Sequence, residues 1–134
     1  MHPWILVVHN LVRWAVLFAG AYSLLRGATG LLAKGVWLPS DARAARIFPI
    51  ILDLQVVVGL LLWLTSAHGT NTPLPEHAVV AIAALVLAHV GSISARRSKN
   101  AKSRFQSIVV FHGLALLLIA ARLPWHAPLL PRLP

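Results

Sequence analysis

The chain has 134 residues, of which 58% are hydrophobic and only 11% are charged. A soluble domain carries about a quarter charged residues, so this chain has too few polar residues to cover a globule, and we expect lipid as its solvent. The net charge of +9 is concentrated in short stretches between apolar runs, without a basic helix face that interleaves aromatics, which excludes nucleic acid as the expected partner. The absence of cysteine excludes disulfides, thiolate metal sites, iron–sulfur clusters and haem attached through Cys.

Four runs are long and apolar enough to cross a bilayer, whose hydrocarbon core takes about 20 helical residues. They cover residues 4–25, 47–66, 77–95 and 105–123, and a Pro-rich tail follows at 124–134. The first run lacks the basic start of a signal peptide and is too long for one, so we expect a retained helix. The sequence predicts a single all-α membrane domain, a bundle of four transmembrane helices that run up, down, up and down.

Lysines and arginines predict how these helices are oriented. The basic residues between the runs lie in the first connection, residues 26–46, and the third, residues 96–104: Arg26, Lys34, Arg43, Arg46, Arg96, Arg97, Lys99, Lys102 and Arg104. The second connection and the N-terminus have none. Because cytoplasmic loops are enriched in Lys and Arg, we expect both basic loops in the cytoplasm and both termini outside it.

The positions of the tryptophans agree with this orientation. Trp4, Trp63 and Trp125 would lie near the outer interface and Trp37 near the inner one, as in an aromatic belt. The sequence Pro39-Ser40-Asp41 offers an N-cap, so we expect the second helix to start near Asp41.

Polar side chains within the runs are costly in lipid and are therefore candidates for function. At a rise of about 1.5 Å per residue, they fall into two layers. The outer layer contains His9, Arg13, Glu76, His77 and Arg122. The inner layer, roughly 9–11 Å from the cytoplasmic helix ends by the same rise, contains Asp53, His89 and His112.

Small residues form stripes on two of the runs at helical spacing. On the third run His77 heads a stripe made of Ala81, Ala84, Ala88, Gly91 and Ala95. On the first run a shorter stripe continues the line of His9, Arg13 and Val16, and comprises Gly20, Ser23 and Gly27. Such stripes pack helices closely in lipid, and they also leave room for a flat cofactor.

The outer layer has the residue types of a haem b site. Haem b needs one or two axial imidazoles from facing helices, a groove for the macrocycle and cations for the propionates. His9 and His77 could supply the imidazoles, and Arg13 and Arg122 the cations. These residue types are common, and the alternative is that His77 lies in a helix interface and His9 is a hydrogen-bonded core histidine.

The remaining candidates have simpler explanations beside the functional ones. The inner layer has two imidazoles and one carboxylate, a set that binds transition metals, but an Asp–His hydrogen bond between helices is the simpler interpretation. The basic segment 96–104 could bind anionic lipid head groups, although topology accounts for it. No nucleotide-binding loop, nucleophile elbow or HExxH motif is present, so no catalytic residue is assigned.

Four stretches together resemble a known family. They are His9-Asn10-Leu11-Val12-Arg13-Trp14, Asp53-Leu54-Gln55 followed by Gly59-Leu60, Glu76-His77, and the block from Gly91 through Arg104-Phe105 to Arg122-Leu123-Pro124-Trp125. Their order and spacing are similar to those of small bacterial four-helix membrane proteins labelled cytochrome b. The resemblance covers nearly the whole chain and implies a four-helix bundle, a haem b with histidine ligands and a place in the inner membrane of a bacterium.

The match to that family differs between the two layers. His9, Arg13, His77 and Arg122 fit its pattern residue by residue. Family members often carry histidine at the position of Asp53 and after the glycine of the third helix, where this chain has Ser92. The resemblance therefore favours haem in the outer layer and disfavours it in the inner one.

We accordingly expect a membrane protein that binds haem b and transfers electrons, with His9 and His77 as axial ligands and Arg13 and Arg122 beside the propionates. An electron carrier is the most activity that we expect. Two alternatives stay open: a non-redox accessory subunit beside a larger respiratory or transport complex, and a bundle that binds quinone or lipid. Self-association into a homo-oligomer is compatible with each of them.

Overall fold

The computed structural model describes residues 3–66 and 71–123. Over these ranges the chain forms four long helices and no strand: α1 (Pro3–Leu32), α2 (Pro39–Leu64), α3 (Glu76–Arg97) and α4 (Ala101–Arg122). All four are long and apolar enough to cross a bilayer, which makes the chain a multi-pass membrane protein. The predicted bundle of four transmembrane helices is confirmed. The predicted Pro-rich tail, with Trp125, lies outside the described residues.

Local hydrogen bonds set the starts of α2 and α4. Helix α2 begins at Pro39, whose missing N–H suits the first turn, and the Asp41 carboxylate accepts the Leu38 N–H at 2.9 Å. The helix therefore starts near Asp41, as predicted, although the N-cap position is Leu38 and Asp41 is the third helical residue. Helix α4 begins early because the side chain of Asn100 caps it, accepting the Ser103 N–H at 2.9 Å.

An ion pair with a buried carboxylate joins the adjoining ends of α1 and α2. The Arg26 side chain lies 2.7 Å from the Asp41 carboxylate, and the Asp41 side chain is only 1% exposed. After α1 ends at Leu32, Lys34 has a φ of 51°, and the Gly35 N–H donates to the Gly30 carbonyl at 2.9 Å. This left-handed ending and the ion pair together turn the chain sharply into α2.

The helices pack as a ring in which α1 and α3 each contact both α2 and α4. The inward faces of α1 and α3 consist mainly of small side chains, among them Gly20, Ser23, Gly27, Ala84, Ala88, Gly91 and Ala95. The largest buried side chains come from α2 and α4: Phe48, Leu52, Phe105 and Ile108. The two predicted stripes are thus confirmed as packing faces that receive large side chains from their neighbours.

Helix α4 contains one π turn, Ile108–His112, which the sequence did not predict. The His112 side chain is fully buried, and its ring nitrogens lie 2.7 Å from the Ser23 hydroxyl and 3.1 Å from the Ala88 carbonyl. A neutral imidazole has one N–H, so Nε2 donates to the carbonyl and Nδ1 accepts from Ser23. His112 therefore holds α1, α3 and α4 together.

Two glycines provide a matched test of this packing. A methyl group on Gly91 would lie 2.7 Å from the Phe111 Cβ, whereas one on Gly113 would lie 3.6 Å from its nearest neighbour, the Leu24 Cδ1. We expect Gly91→Ala to lower the free energy of unfolding by about 1–3 kcal/mol. Gly113→Ala should keep or raise it, since alanine favours a helix over glycine by about 1 kcal/mol.

Thermal unfolding of the two variants in detergent measures this difference. An Ala variant at Gly91 that is as stable as the variant at Gly113 would contradict the close approach of α3 and α4.

Candidate functional site

A cleft of about 350 Å³ opens between the helices at the end of the bundle where α1 begins and α2 ends. Its volume falls in the range of small-molecule sites, about 300–1,000 Å³. All four helices contribute to its wall, and most of the wall is apolar, with Val16, Leu52 and Ile119 among the deeper residues. The cleft thus offers an apolar cavity of ligand size at one end of a membrane bundle.

The four residues predicted for the outer site all line this cleft. His9 and Arg13 come from α1, His77 from the first turn of α3, and Arg122 from the last turn of α4. The fifth residue of the outer layer, Glu76, lies beside them and accepts a hydrogen bond from Arg122 at 3.0 Å. The structure therefore brings together side chains that lie more than a hundred residues apart in sequence.

His9 is held on one side only. Its Nε2 lies 3.3 Å from the side-chain nitrogen of Gln55 on α2. Its Nδ1 is buried and has no hydrogen-bond partner among the described residues. Gly59, one turn after Gln55, makes room for the ring, because a Cβ there would lie 3.2 Å from the His9 Cε1. Helix α2 therefore positions the imidazole and leaves one nitrogen unused.

The unpartnered polar atoms of the described residues converge on this cleft. Buried side-chain atoms without a partner are the His9 Nδ1, the Gln55 Oε1 and the Trp63 Nε1, and all three residues line the cleft. A buried polar group without a hydrogen bond costs about 1–3 kcal/mol, and native proteins contain few. A polar ligand in the cleft would satisfy them.

Permanent positive charge lies in the same wall. Arg13 is buried, with 9% of its surface exposed, one helical turn along α1 from His9. Arg122 lies at the rim with about half of its side chain exposed. The part of the lining that the structure describes contains no carboxylate. An anionic group on a ligand would find two guanidinium groups at different depths.

The inner layer does not form one cluster. His89 contacts both carboxylate oxygens of Asp53, at 3.0 and 3.1 Å, and joins α3 to α2 with more than 40% of each side chain exposed. His112 lies apart, bonded to Ser23 and Ala88. Within residues 3–66 and 71–123, no group of three His, Asp or Glu side chains is arranged so that it could hold a metal ion. The Asp53–His89 pair corresponds to the simpler interpretation, an interhelical hydrogen bond, although it is half-exposed rather than buried.

Ser92 fills the position where the resembled family often has histidine. Its side chain is buried, and its hydroxyl donates to the Ala45 carbonyl of α2. This residue therefore fastens α3 to α2 near the far end of the bundle, and it lies away from the cleft.

Three residues of the cleft were not assigned to the site from the sequence, although two of them, Gln55 and Gly59, stand in the stretches that resemble the family. Gln55, Gly59 and Trp63 follow each other at intervals of four along α2, and all line the cleft. This spacing puts them on one face of a helix. The sequence signal for them is a polar side chain within a span, followed by glycine one turn later. Its meaning becomes clear only once the structure shows which helix lies opposite.

The chain matches no family model, no curated protein and no solved structure. The resemblance to small cytochrome b proteins therefore stays a prediction that depends on the residues quoted above. The convergence of those residues on one cleft is a separate observation, made from the structure.

Proposed function

We propose that this protein binds haem b in the cleft and carries electrons, with His9 and His77 as the axial ligands. The observation that carries the proposal is the convergence of both histidines, two arginines and the unpartnered polar atoms on one cavity. Haem b, when bound, supplies one-electron redox chemistry. The protein supplies binding, orientation and shielding from water.

The side chains that line the cleft fit haem b. Imidazoles come from two different helices, α1 and α3, as a site between helices requires. A metal-ligating histidine commonly has its second nitrogen held by another protein group. His9 would take this arrangement with the Gln55 amide turned over, so that its oxygen accepts the Nε2–H and Nδ1, which lacks a partner among the described residues, keeps its lone pair for iron. Arg13 and Arg122 would bind the propionates.

The axial ligands can be tested by absorption spectroscopy. In protein purified in detergent from haem-sufficient cells, we expect a Soret band and, after dithionite reduction, an α-band. His9→Ala and His77→Ala should lower the haem content at least about tenfold, since even second-shell changes cost about 10–100-fold in metal affinity.

His89→Ala is the matched control, because this histidine lies outside the cleft and bonds to Asp53. It should keep the spectrum of the wild type. Absence of a Soret band from the wild type, or its loss only in the His89 variant, would contradict the proposal.

A quinone is the second candidate, and one observation favours it. The cleft presents the unpartnered indole N–H of Trp63, which can donate a hydrogen bond to a carbonyl oxygen. Its volume, about 350 Å³, is also near the lower end of the range for ligand sites. Solvent extraction of the purified protein would recover quinone without haem if this alternative holds.

We further propose that the basic end of the bundle faces the cytoplasm of a bacterial cell and that both termini lie outside. The end of α1, the start of α2, the end of α3 and the start of α4 meet at one end of the antiparallel bundle. The basic residues of both predicted loops belong to these helix ends and their connections. Trp4 and Trp63 lie toward the other end, and Trp37 lies at the basic end.

Single cysteines test this orientation, because the chain has no cysteine of its own. We expect a membrane-impermeant maleimide to label Asn71→Cys in intact cells and to label Lys99→Cys only after permeabilisation, as the distribution of basic residues predicts. The opposite labelling pattern would contradict the proposed orientation.

A further inference from the structure

A second pocket, of about 170 Å³, lies at the basic end of the bundle, away from the cleft. Three arginines line it, each from a different helix: Arg46 of α2, Arg96 of α3 and Arg104 of α4. Trp37, in the connection between α1 and α2, forms another part of the wall. The fold thus brings three cations, distant in sequence, to one small cavity.

Arg104 and Trp37 hold each other in place. The Arg104 Nε donates to the Ser98 carbonyl at 3.0 Å, and its guanidinium carbon lies 6.0 Å from the centre of the Trp37 ring. Trp37 in turn packs against Phe105, with ring centres 5.0 Å apart. These contacts keep a guanidinium and an indole at the pocket before any ligand arrives.

The protein has no acidic side chain left to neutralise this pocket. The whole chain contains only three Asp and Glu residues. Each is taken in the structure: Asp41 by Arg26, Asp53 by His89, and Glu76 by Arg122. None of the three lines the pocket. Gathered guanidinium groups repel one another, and no Asp or Glu side chain of the chain offsets that repulsion at this pocket.

We infer that this pocket binds the phosphate of an anionic phospholipid head group. Guanidinium groups form charge-assisted, often bidentate hydrogen bonds with phosphate. The pocket lies at the ends of membrane-spanning helices, where head groups are found, and basic pockets between such helices bind lipid head groups. Its remaining wall is partly apolar, formed by Ala42, Ala45 and Ala95. The lipid binds independently of the ligand proposed for the cleft.

Neighbouring arginines provide a matched control for charge. Arg46→Gln with Arg96→Gln removes two cations from the pocket and keeps Arg104, which has a structural contact. Arg43→Gln with Arg97→Gln removes two cations from the same helices, at exposed positions that do not line the pocket. Both double variants have the same net charge, so a general electrostatic attraction to anionic lipid weakens equally in both.

The test is a lipid titration followed by native mass spectrometry of the full chain in detergent. Wild-type protein should retain one phosphatidylglycerol in preference to phosphatidylcholine. The Arg46/Arg96 double variant should bind phosphatidylglycerol about tenfold more weakly or worse, given the usual contribution of each basic residue. The Arg43/Arg97 double variant should bind as the wild type does, and both should melt at the wild-type temperature.

Three results would overturn the inference. Equal loss in the two double variants would show an unspecific charge effect. Equal retention of phosphatidylcholine would show that the head-group charge is not recognised. Displacement of phosphatidylglycerol by inorganic phosphate in modest excess would show a site for the free anion rather than for a lipid.

Discussion

The close approach of α1 and α3 to their neighbours depends on side chains no larger than serine along much of one face of each helix. Opposite these faces, Phe48 and Phe105 fill the space, and a Cβ on Gly20 would lie 2.7 Å from the Phe48 ring. Toward the other end of α1 the same face carries Arg13 and His9, and α2 presents Gly59 instead of a large residue. The bundle is consequently closely packed around Phe48 and Phe105 and open at the cleft.

The small number of carboxylates constrains the electrostatics of the bundle. With twelve lysines and arginines and only three acidic residues, each acidic side chain pairs with one partner and fastens a different junction. Asp41 joins α1 to α2, Asp53 joins α2 to α3, and Glu76 joins α3 to α4. In a low-dielectric surrounding such pairs cost less than isolated charges. For the cations that line the cleft and the basic pocket, we propose ligands and lipids as partners.

The sequence predicted the four helices because apolar length alone decides whether a segment can span lipid. It also predicted the outer residues, since His9, His77 and Arg122 lie near helix ends that an antiparallel bundle brings together. The division of the inner layer was not predictable, because depth places Asp53, His89 and His112 at one level without fixing the direction in which each points. The π turn of α4 shifts that direction further, and no local sequence signal predicted it.

The central claim is that His9 and His77 hold one iron between them. Low-temperature electron paramagnetic resonance of the oxidised, purified protein measures this directly, because two axial imidazoles give low-spin ferric haem and one gives high-spin. The account predicts a low-spin signal in the wild type that is lost or converted to high-spin in His77→Ala. A wild-type protein without ferric haem, or with high-spin haem unaffected by that substitution, would contradict it.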